Sequence, residues 1–227
     1  MSNKKKIVTL DGPSGVGKST ISRRVAAALG YTYLDTGAMY RAVAIALNRA
    51  GVGVADEKRI AVFLDTIKIR LSPPATEDGE VGVELNGEDI SDSIRTPEAS
   101  MLASQFSAVP VVRSKLTKMQ QEMGHQEEIV AEGRDTGTVV FPAAAYKFFL
   151  DGDPQVRAKR RVEQLQRQGI NQDESEILKL IIERDNNDSQ RTIAPLKKAQ
   201  EAHTVDTSAL TIDQVVSAIL EVVACSA

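Results

Sequence analysis

Tryptophan is missing from this chain, and cysteine occurs once, at Cys225. A single thiol excludes an intramolecular disulfide and a cluster of cysteine ligands around zinc. Histidine is almost as scarce, with only His125 and His203, so a histidine-built metal centre is not expected. Neither these residues nor Cys225 is assigned a part in the chemistry. Long apolar runs are lacking too. Ile7-Val8-Thr9-Leu10 stops at Asp11, and the valine-rich C-terminal segment carries Asp213 and Glu221 and is too short to span a bilayer. Lys4-Lys5-Lys6 ahead of so short an apolar stretch does not make a secretory leader. These shortages point to a soluble, cytoplasmic protein with no membrane partner. Excess positive charge is also absent: 28 Lys and Arg against 31 Asp and Glu give a net charge of −3, with a sequence pI near 5.6. A nucleic-acid binder working through a broad basic face is therefore disfavoured, and anion recognition must come from arginines gathered locally.

What is present is ordinary globular material. The 227 residues are 42% apolar and 26% charged, enough for one compact domain with a good core and against disorder. Strand-like and helix-like segments alternate, which predicts a parallel sheet flanked by helices. Lys6–Leu10 reads as a buried strand, followed by a glycine-rich turn and a helix with Ile21, Val25, Ala28 and Leu29 on one face and Gly30 at its end. Tyr31–Asp35 is a second strand and Ala38–Ala50 a second helix, ending near Gly51. Ile129–Glu132 and Tyr146–Leu150 are further strands. Helices follow over Pro154–Gln168 and Glu174–Asn187, with Gly169 between them, and over about Ile212–Ala224. Thr66–Thr96 breaks the rhythm. There Ile67–Leu71 and Val81–Leu85 read as short strands around a Pro73-Pro74 and Asp78-Gly79 turn region, with Asn86-Gly87 as a hairpin signal, so a small antiparallel insert is expected.

The most specific local signal is Gly12-Pro13-Ser14-Gly15-Val16-Gly17-Lys18-Ser19, which fits G-x-x-x-x-G-K-[ST] directly after a strand and opening a helix. Glycines let backbone amides approach phosphate oxygens, and the helix N-terminus adds a favourable dipole. Lys18 is expected to span the β- and γ-phosphates of ATP and the Ser19 hydroxyl to ligate Mg²⁺. The chain has no Asn-Lys-x-Asp element for guanine and no transporter-type signature helix. A kinase needs a second, arginine-rich pocket for an anionic acceptor. Candidates are Asp35-Thr36-Gly37-Ala38-Met39-Tyr40-Arg41, Glu132-Gly133-Arg134-Asp135, the helix carrying Arg157, Lys159, Arg160 and Arg161, and the stretch Glu183 to Arg191. Each also has a purely structural reading. Asp35 and Thr36 would cap a helix, Arg134 and Asp135 would pair with each other, Arg157 to Arg161 would be a solvated face, and Arg184 and Asp188 would be a surface pair. A kinase for another small acceptor and a nucleotide-dependent switch are the rival classes.

Taken together, Asp11 to Ser19, Asp35 to Arg41, Ile94-Arg95, Glu132 to Pro142, Lys147 to Asp151, and Glu183-Arg184-Asp185 with Asp188 and Arg191 resemble bacterial cytidylate kinases, a family of nucleoside monophosphate kinases. The resemblance runs through nearly the whole chain in the family's order. It implies a single P-loop NTPase-like domain, monomeric, with a five-stranded parallel core over about 5–66 and 97–225. An antiparallel insert at about 67–96 would belong to the monophosphate-binding region, and an arginine-bearing lid would span about 154–169. The implied reaction is ATP- and Mg²⁺-dependent phosphorylation of CMP and dCMP. Carried over by position, Gly12 to Ser19 with Thr20, Arg157 and Arg161 are expected at ATP. Ser104, Arg113 and Asp135 are expected at cytosine, whose N4 amino group and N3/O2 acceptors suit a carboxylate beside an arginine, whereas uracil O4 would face Asp135. Arg184 and Asp188 fall at the ribose. Arg41, Arg134 and Arg191 fall at the acceptor phosphate, with Thr36 and Ser14 nearby. Lys18, Arg134 and Arg191 would be catalytic. Glu132 stands where the family often has aspartate and Thr36 where some relatives have serine, so carboxylate and hydroxyl are kept.

Overall fold

The computed structural model describes residues 6–74, 76, 79–167 and 169–225. Five parallel strands, β1 (Ile7–Asp11), β2 (Thr32–Asp35), β6 (Ile129–Gly133), β7 (Tyr146–Asp151) and β8 (His203–Asp206), lie in the order β2-β6-β1-β7-β8. Because β6 slots between β2 and β1, the carboxyl ends of these strands open onto a crevice, the usual ligand position in such sheets. Successive β6 side chains alternate between the faces: Ile129 and Ala131 join one apolar cluster and Val130 the other. Helices α1 (Lys18–Leu29) and α8 (Ile212–Cys225) cover one face. On the other lie α2 (Thr36–Arg49), α3 (Glu57–Leu64), α4 (Pro97–Phe106) and α5 (Pro110–Gln126). No helix among the described residues is long and apolar enough to cross a membrane.

The insert is a three-stranded antiparallel sheet of β3 (Ile69–Ser72), β4 (Gly82–Leu85) and β5 (Glu88–Asp89). Asn86 and Gly87 join β4 to β5 with φ of 52° and 87°, the positive pair a tight hairpin demands. Val81, Val83, Leu85, Ile90 and Ile94 belong to the same buried cluster as α2 to α5, so the insert shares its core with one helical layer. Asp78, in the expected turn, and Gln168, at an expected helix end, lie outside the described residues, as do Lys4 and Lys5.

Several boundaries moved by one to three residues, one of them for an identifiable reason. The second helix starts at Thr36 and not Ala38, because the Asp35 side chain accepts from Ala38 N–H at 2.8 Å and caps it. The first insert strand starts at Ile69, two residues later than read. Helices α6 (Pro154–Arg167) and α7 (Glu174–Gln190) form a hairpin with its own small core of Ala158, Leu165, Ile177 and Ile181. This hairpin meets the sheet's crevice through polar side chains.

Candidate active site

The glycine-rich turn spans the gap between β1 and α1. Gly12, Gly15 and Gly17 hold φ of 154°, 80° and 90°. No side chain caps α1 at Gly17, so its first amides have no side-chain acceptor of their own, an arrangement suited to phosphate oxygens. Lys18 is buried and donates to Pro13 O at 2.5 Å. Burial drives its pKa well below that of an ordinary lysine, and the Arg134 and Arg184 guanidiniums push the same way. A polyphosphate would add counter-charge beside these three cations, which share the Asp188 carboxylate.

Behind the turn, Ser19 Oγ donates to Glu132 Oε1 at 2.8 Å. Glu132 is fully inside, and burial followed by repulsion from Asp35 raises its pKa. Thr36 Oγ1 donates to Glu132 O at 2.6 Å, tying the start of α2 to the end of β6. Among the described residues no group of three or more His, Cys, Asp or Glu could cage a metal ion. A hydroxyl beside one buried carboxylate nevertheless fits Mg²⁺ of the kind held mostly by substrate phosphates and water.

Opposite the turn, arginines from several elements face one another through buried carboxylates. Arg134 Nε donates to Asp188 Oδ2 at 2.9 Å, and Arg191 Nη1 lies 3.8 Å from Asp188 Oδ1. Arg113 Nη2 is paired with Asp135 Oδ2, and Arg191 Nη2 sits 3.9 Å from the other Asp135 oxygen. The Arg113 guanidinium lies 5.4 Å from the Tyr40 ring centroid. Arg41 Nη2 donates to Asp35 at 3.1 Å. Burial, then the nearby Arg134 charge, pulls the Arg184 pKa down to about 10. For Asp188 burial works upward, but Arg134, Arg184 and Arg191 together hold it below its ordinary value. The Nε atoms of Arg41, Arg184 and Arg191 are buried and have no hydrogen-bond acceptor. Three such donors on α2 and around α7 make a site poised for an anion.

The α6–α7 hairpin reaches the phosphate turn directly. Arg157 donates to Ser14 O at 2.9 Å and to Asp185 Oδ2 at 2.6 Å, while Ser14 N–H donates to Asp185 Oδ1 at 3.3 Å. Arg184 Nη1 reaches Ser14 Oγ at 3.5 Å. Two shallow hollows of about 460 and 530 Å³ lie elsewhere, along β3 and β4 and beside α3, and none of these side chains lines them.

Most residues singled out in the sequence therefore converge, and two structural alternatives do not hold while a third fails in part. Arg134 and Asp135 do not pair with each other, and Asp188 is buried and not a surface partner of Arg184. On α6 Arg157 is only 3% exposed, whereas Lys159 does face solvent. Arg161 is different, since it donates to Gln164 Oε1 at 2.7 Å on its own helix and makes no bond to the phosphate turn. Thr20 lies in the first turn of α1, and Ser104 is half-buried on α4, its carbonyl accepting from Ser107 Oγ at 2.8 Å. Sequence reasoning assigned no role to Asp11, Asp185 or Ser107. Ser107 O accepts from Arg113 at 3.0 Å and its Oγ from Arg191 at 3.3 Å. Asp185 stood next to Arg184 in a quoted motif, but its use depends on a helix phase that brings it beside Ser14.

Comparison with known proteins adds a separate line of support. The family model described as cytidylate kinase matches residues 8–225. The cytidylate kinase of Syntrophotalea carbinolica is 47% identical over 222 residues, covering 98% of this chain and 93% of the relative. That of Thermodesulfovibrio yellowstonii is 47% identical over 225 residues, covering 97% and 98%. Among solved structures, an uncharacterized protein from Eubacterium ventriosum shares the fold with a TM-score of 0.52 at 13% identity, over 98% of this chain and 99% of that one. With a glycine-rich phosphate turn, a facing arginine web and matches running almost end to end, the chain belongs to the cytidylate kinase family.

Proposed function

We propose that the chain transfers the γ-phosphoryl group of ATP to CMP and dCMP, giving ADP with CDP or dCDP. The observation that carries this reading is the set of buried arginine Nε donors without acceptors at Arg41, Arg184 and Arg191, with the Arg184 guanidinium close enough to act on Lys18. Mg²⁺-bound ATP and CMP meeting there bring together roughly four negative charges, which must be neutralised before an in-line approach is possible.

Lys18 and the free amides of α1 bind the ATP phosphates. Arg41, Arg134 and Arg191 hold the acceptor phosphate, and Arg134 with Lys18 follows the charge as it shifts during transfer. Arg184 and Asp188 orient the ribose, with Thr36 nearby. Ser104, Arg113 and Asp135 read cytosine, Asp135 accepting from its N4 amino group. No strong general base is needed, since the attacking oxygen already belongs to an ionised phosphate. Ser19, backed by Glu132, would hold Mg²⁺, which supplies charge neutralisation on the β- and γ-phosphate oxygens. We read residues at about 154–169 as a lid over ATP, supported by the separate small core of α6 and α7 and by Arg157 at Ser14. Its closure would exclude water and suppress ATP hydrolysis. The antiparallel insert, about 67–96, belongs to the acceptor side.

A coupled assay of ADP release, run with CMP, dCMP, UMP and AMP as acceptors, tests the reading. Robust ATP-dependent turnover with CMP and dCMP, well above that with UMP and AMP, is the expected result. Turnover confined to another acceptor would overturn the substrate assignment, and none with any acceptor would overturn the kinase reading itself.

A further inference from the structure

We propose that Asp11 is a positioning residue for the acceptor side of the reaction, fixing where Arg134 and Asp135 stand relative to the phosphate turn. The inference rests on the acceptor-site reading given above and adds to it a residue that contacts neither nucleotide. Asp11 closes β1 and pairs in register with Gly133 on β6. Its buried carboxylate takes three hydrogen bonds from one place. Oδ1 accepts from the Thr136 N–H and from Thr136 Oγ1, both at 2.8 Å, and Oδ2 accepts from the Gly137 N–H at 2.7 Å.

Those donors open a wide five-residue turn, Thr136–Val140, in which Val140 N–H reaches Asp135 O at 3.2 Å and Phe141 N–H reaches Thr136 O at 2.7 Å. The first amides of any helical turn lack partners within it and need an outside acceptor. Asp11 is that acceptor. The turn also lies flat against β1. A Cβ added at Gly137 would come within 2.8 Å of Thr9 Oγ1, and one at Gly133 within 2.7 Å of Thr136 Cγ2. Thr136 directly follows Arg134 and Asp135, while Asp11 directly precedes Gly12. One carboxylate thus sits at the junction of the segment that binds the donor and the segment that reads the acceptor. The phosphate turn has its own supports in the Gly12 backbone against Leu150 O and in the Lys18 bond to Pro13 O. The acceptor loop keeps Arg113 at Asp135 and Gln121 at Val140 O, but its leading amides at Thr136 and Gly137 both donate to Asp11, so losing Asp11 falls first on the acceptor.

Asp11→Asn keeps the shape but sets an NH₂ group against one of the amide or hydroxyl donors. The expected result is a KM for CMP about tenfold higher, a CMP-over-UMP preference narrowed by about the same factor, and a KM for ATP changed by less than about twofold. Thr136→Val removes the hydroxyl bond alone and is expected to shift the same two readouts by about two- to threefold. It decides the matter if Asp11→Asn does not fold. A merely structural role predicts a lower melting temperature with all three kinetic readouts unchanged, and that result would overturn the proposal. So would equal losses for ATP and CMP with an unaltered CMP/UMP ratio. Wild-type protein is the control: if it fails on CMP, the underlying function is wrong and the inference goes with it.

Discussion

Arg134 Nε donates to Asp188 Oδ2 over 2.9 Å, joining the loop behind β6 to α7 across 54 residues of chain. Asp188 also faces Arg184 and Arg191, so one carboxylate separates three cations that would otherwise repel one another. Its depressed pKa gives the sign of its contribution to stability. That contribution is complete above the ordinary value of 3.8 and is lost as pH falls through the lower folded value.

Asp188→Ala leaves these arginines without their shared counter-charge. Breaking a buried pair costs about 3–5 kcal/mol of stability, so the variant is expected to melt lower. In the protein that stays folded, kcat/KM for CMP is expected to fall by about a hundredfold as the arginines lose their placement. The loss should be larger with CMP than with dCMP, because only CMP offers a 2′-OH to the carboxylate. Steady-state kinetics with both acceptors checks this, and equal losses would move Asp188 away from the 2′ position.

Glu132→Gln separates charge from shape. Glutamine Oε1 can still accept from Ser19, but the buried charge beside Asp35 is gone. A carboxyl group whose folded pKa is raised destabilises the fold when ionised, and stability falls as pH rises from its ordinary 4.5 through the folded value. The ligand-free variant is therefore expected to melt no lower than wild type at pH 7, with the difference shrinking on acidification. Activity should move the other way, with a higher Mg²⁺ requirement and lower kcat. Thermal unfolding between pH 4 and 7, alongside a Mg²⁺ titration of the rate, gives both answers.

Asp135 cannot be tested by deletion alone, because Arg113 is buried against it. Asp135→Ala strands that guanidinium and is expected to cost about 3–5 kcal/mol of stability, confusing fold with recognition. Asp135→Asn retains one acceptor oxygen and much of the packing. It should bring the CMP/UMP ratio down by about tenfold or more while KM for ATP stays near wild type. An unchanged ratio in a folded Asp135→Asn protein would refute the base-reading role.

Gly12→Ala and Gly30→Ala make a controlled pair. Both glycines have positive φ, but a Cβ at Gly12 would lie 2.1 Å from Leu150 O whereas nothing stands within 4 Å at Gly30. Gly30→Ala is expected to cost about 1 kcal/mol from backbone conformation alone. Gly12→Ala adds a backbone clash and should cost at least about 2 kcal/mol more. Urea unfolding of the two variants measures the difference directly.

Much of this architecture could be read from the chain because its signals are local. The phosphate turn is contiguous, the Asn86-Gly87 hairpin depends on two adjacent residues, and the apolar stripe of α8 lies within one helix. Helix α5 was missed because its buried side includes Arg113, Gln120 and Gly124, which interrupt the apolar period. Strand β8 was missed because His203 to Asp206 is a mostly exposed, polar edge that becomes a strand only by pairing with β7.

The sequence by itself determined the alternating α/β order and the phosphate turn, and it placed candidate arginines in short local clusters. Each of these depends on neighbours in the chain or on residue chemistry alone. Only the tertiary structure decided how the charges are shared: Arg134 with Asp188, Arg113 with Asp135, and Arg157 with Asp185. A Coulomb partner is chosen by distance and burial, and both are set when β6, α5, α6 and α7 bring side chains together from opposite ends of the chain.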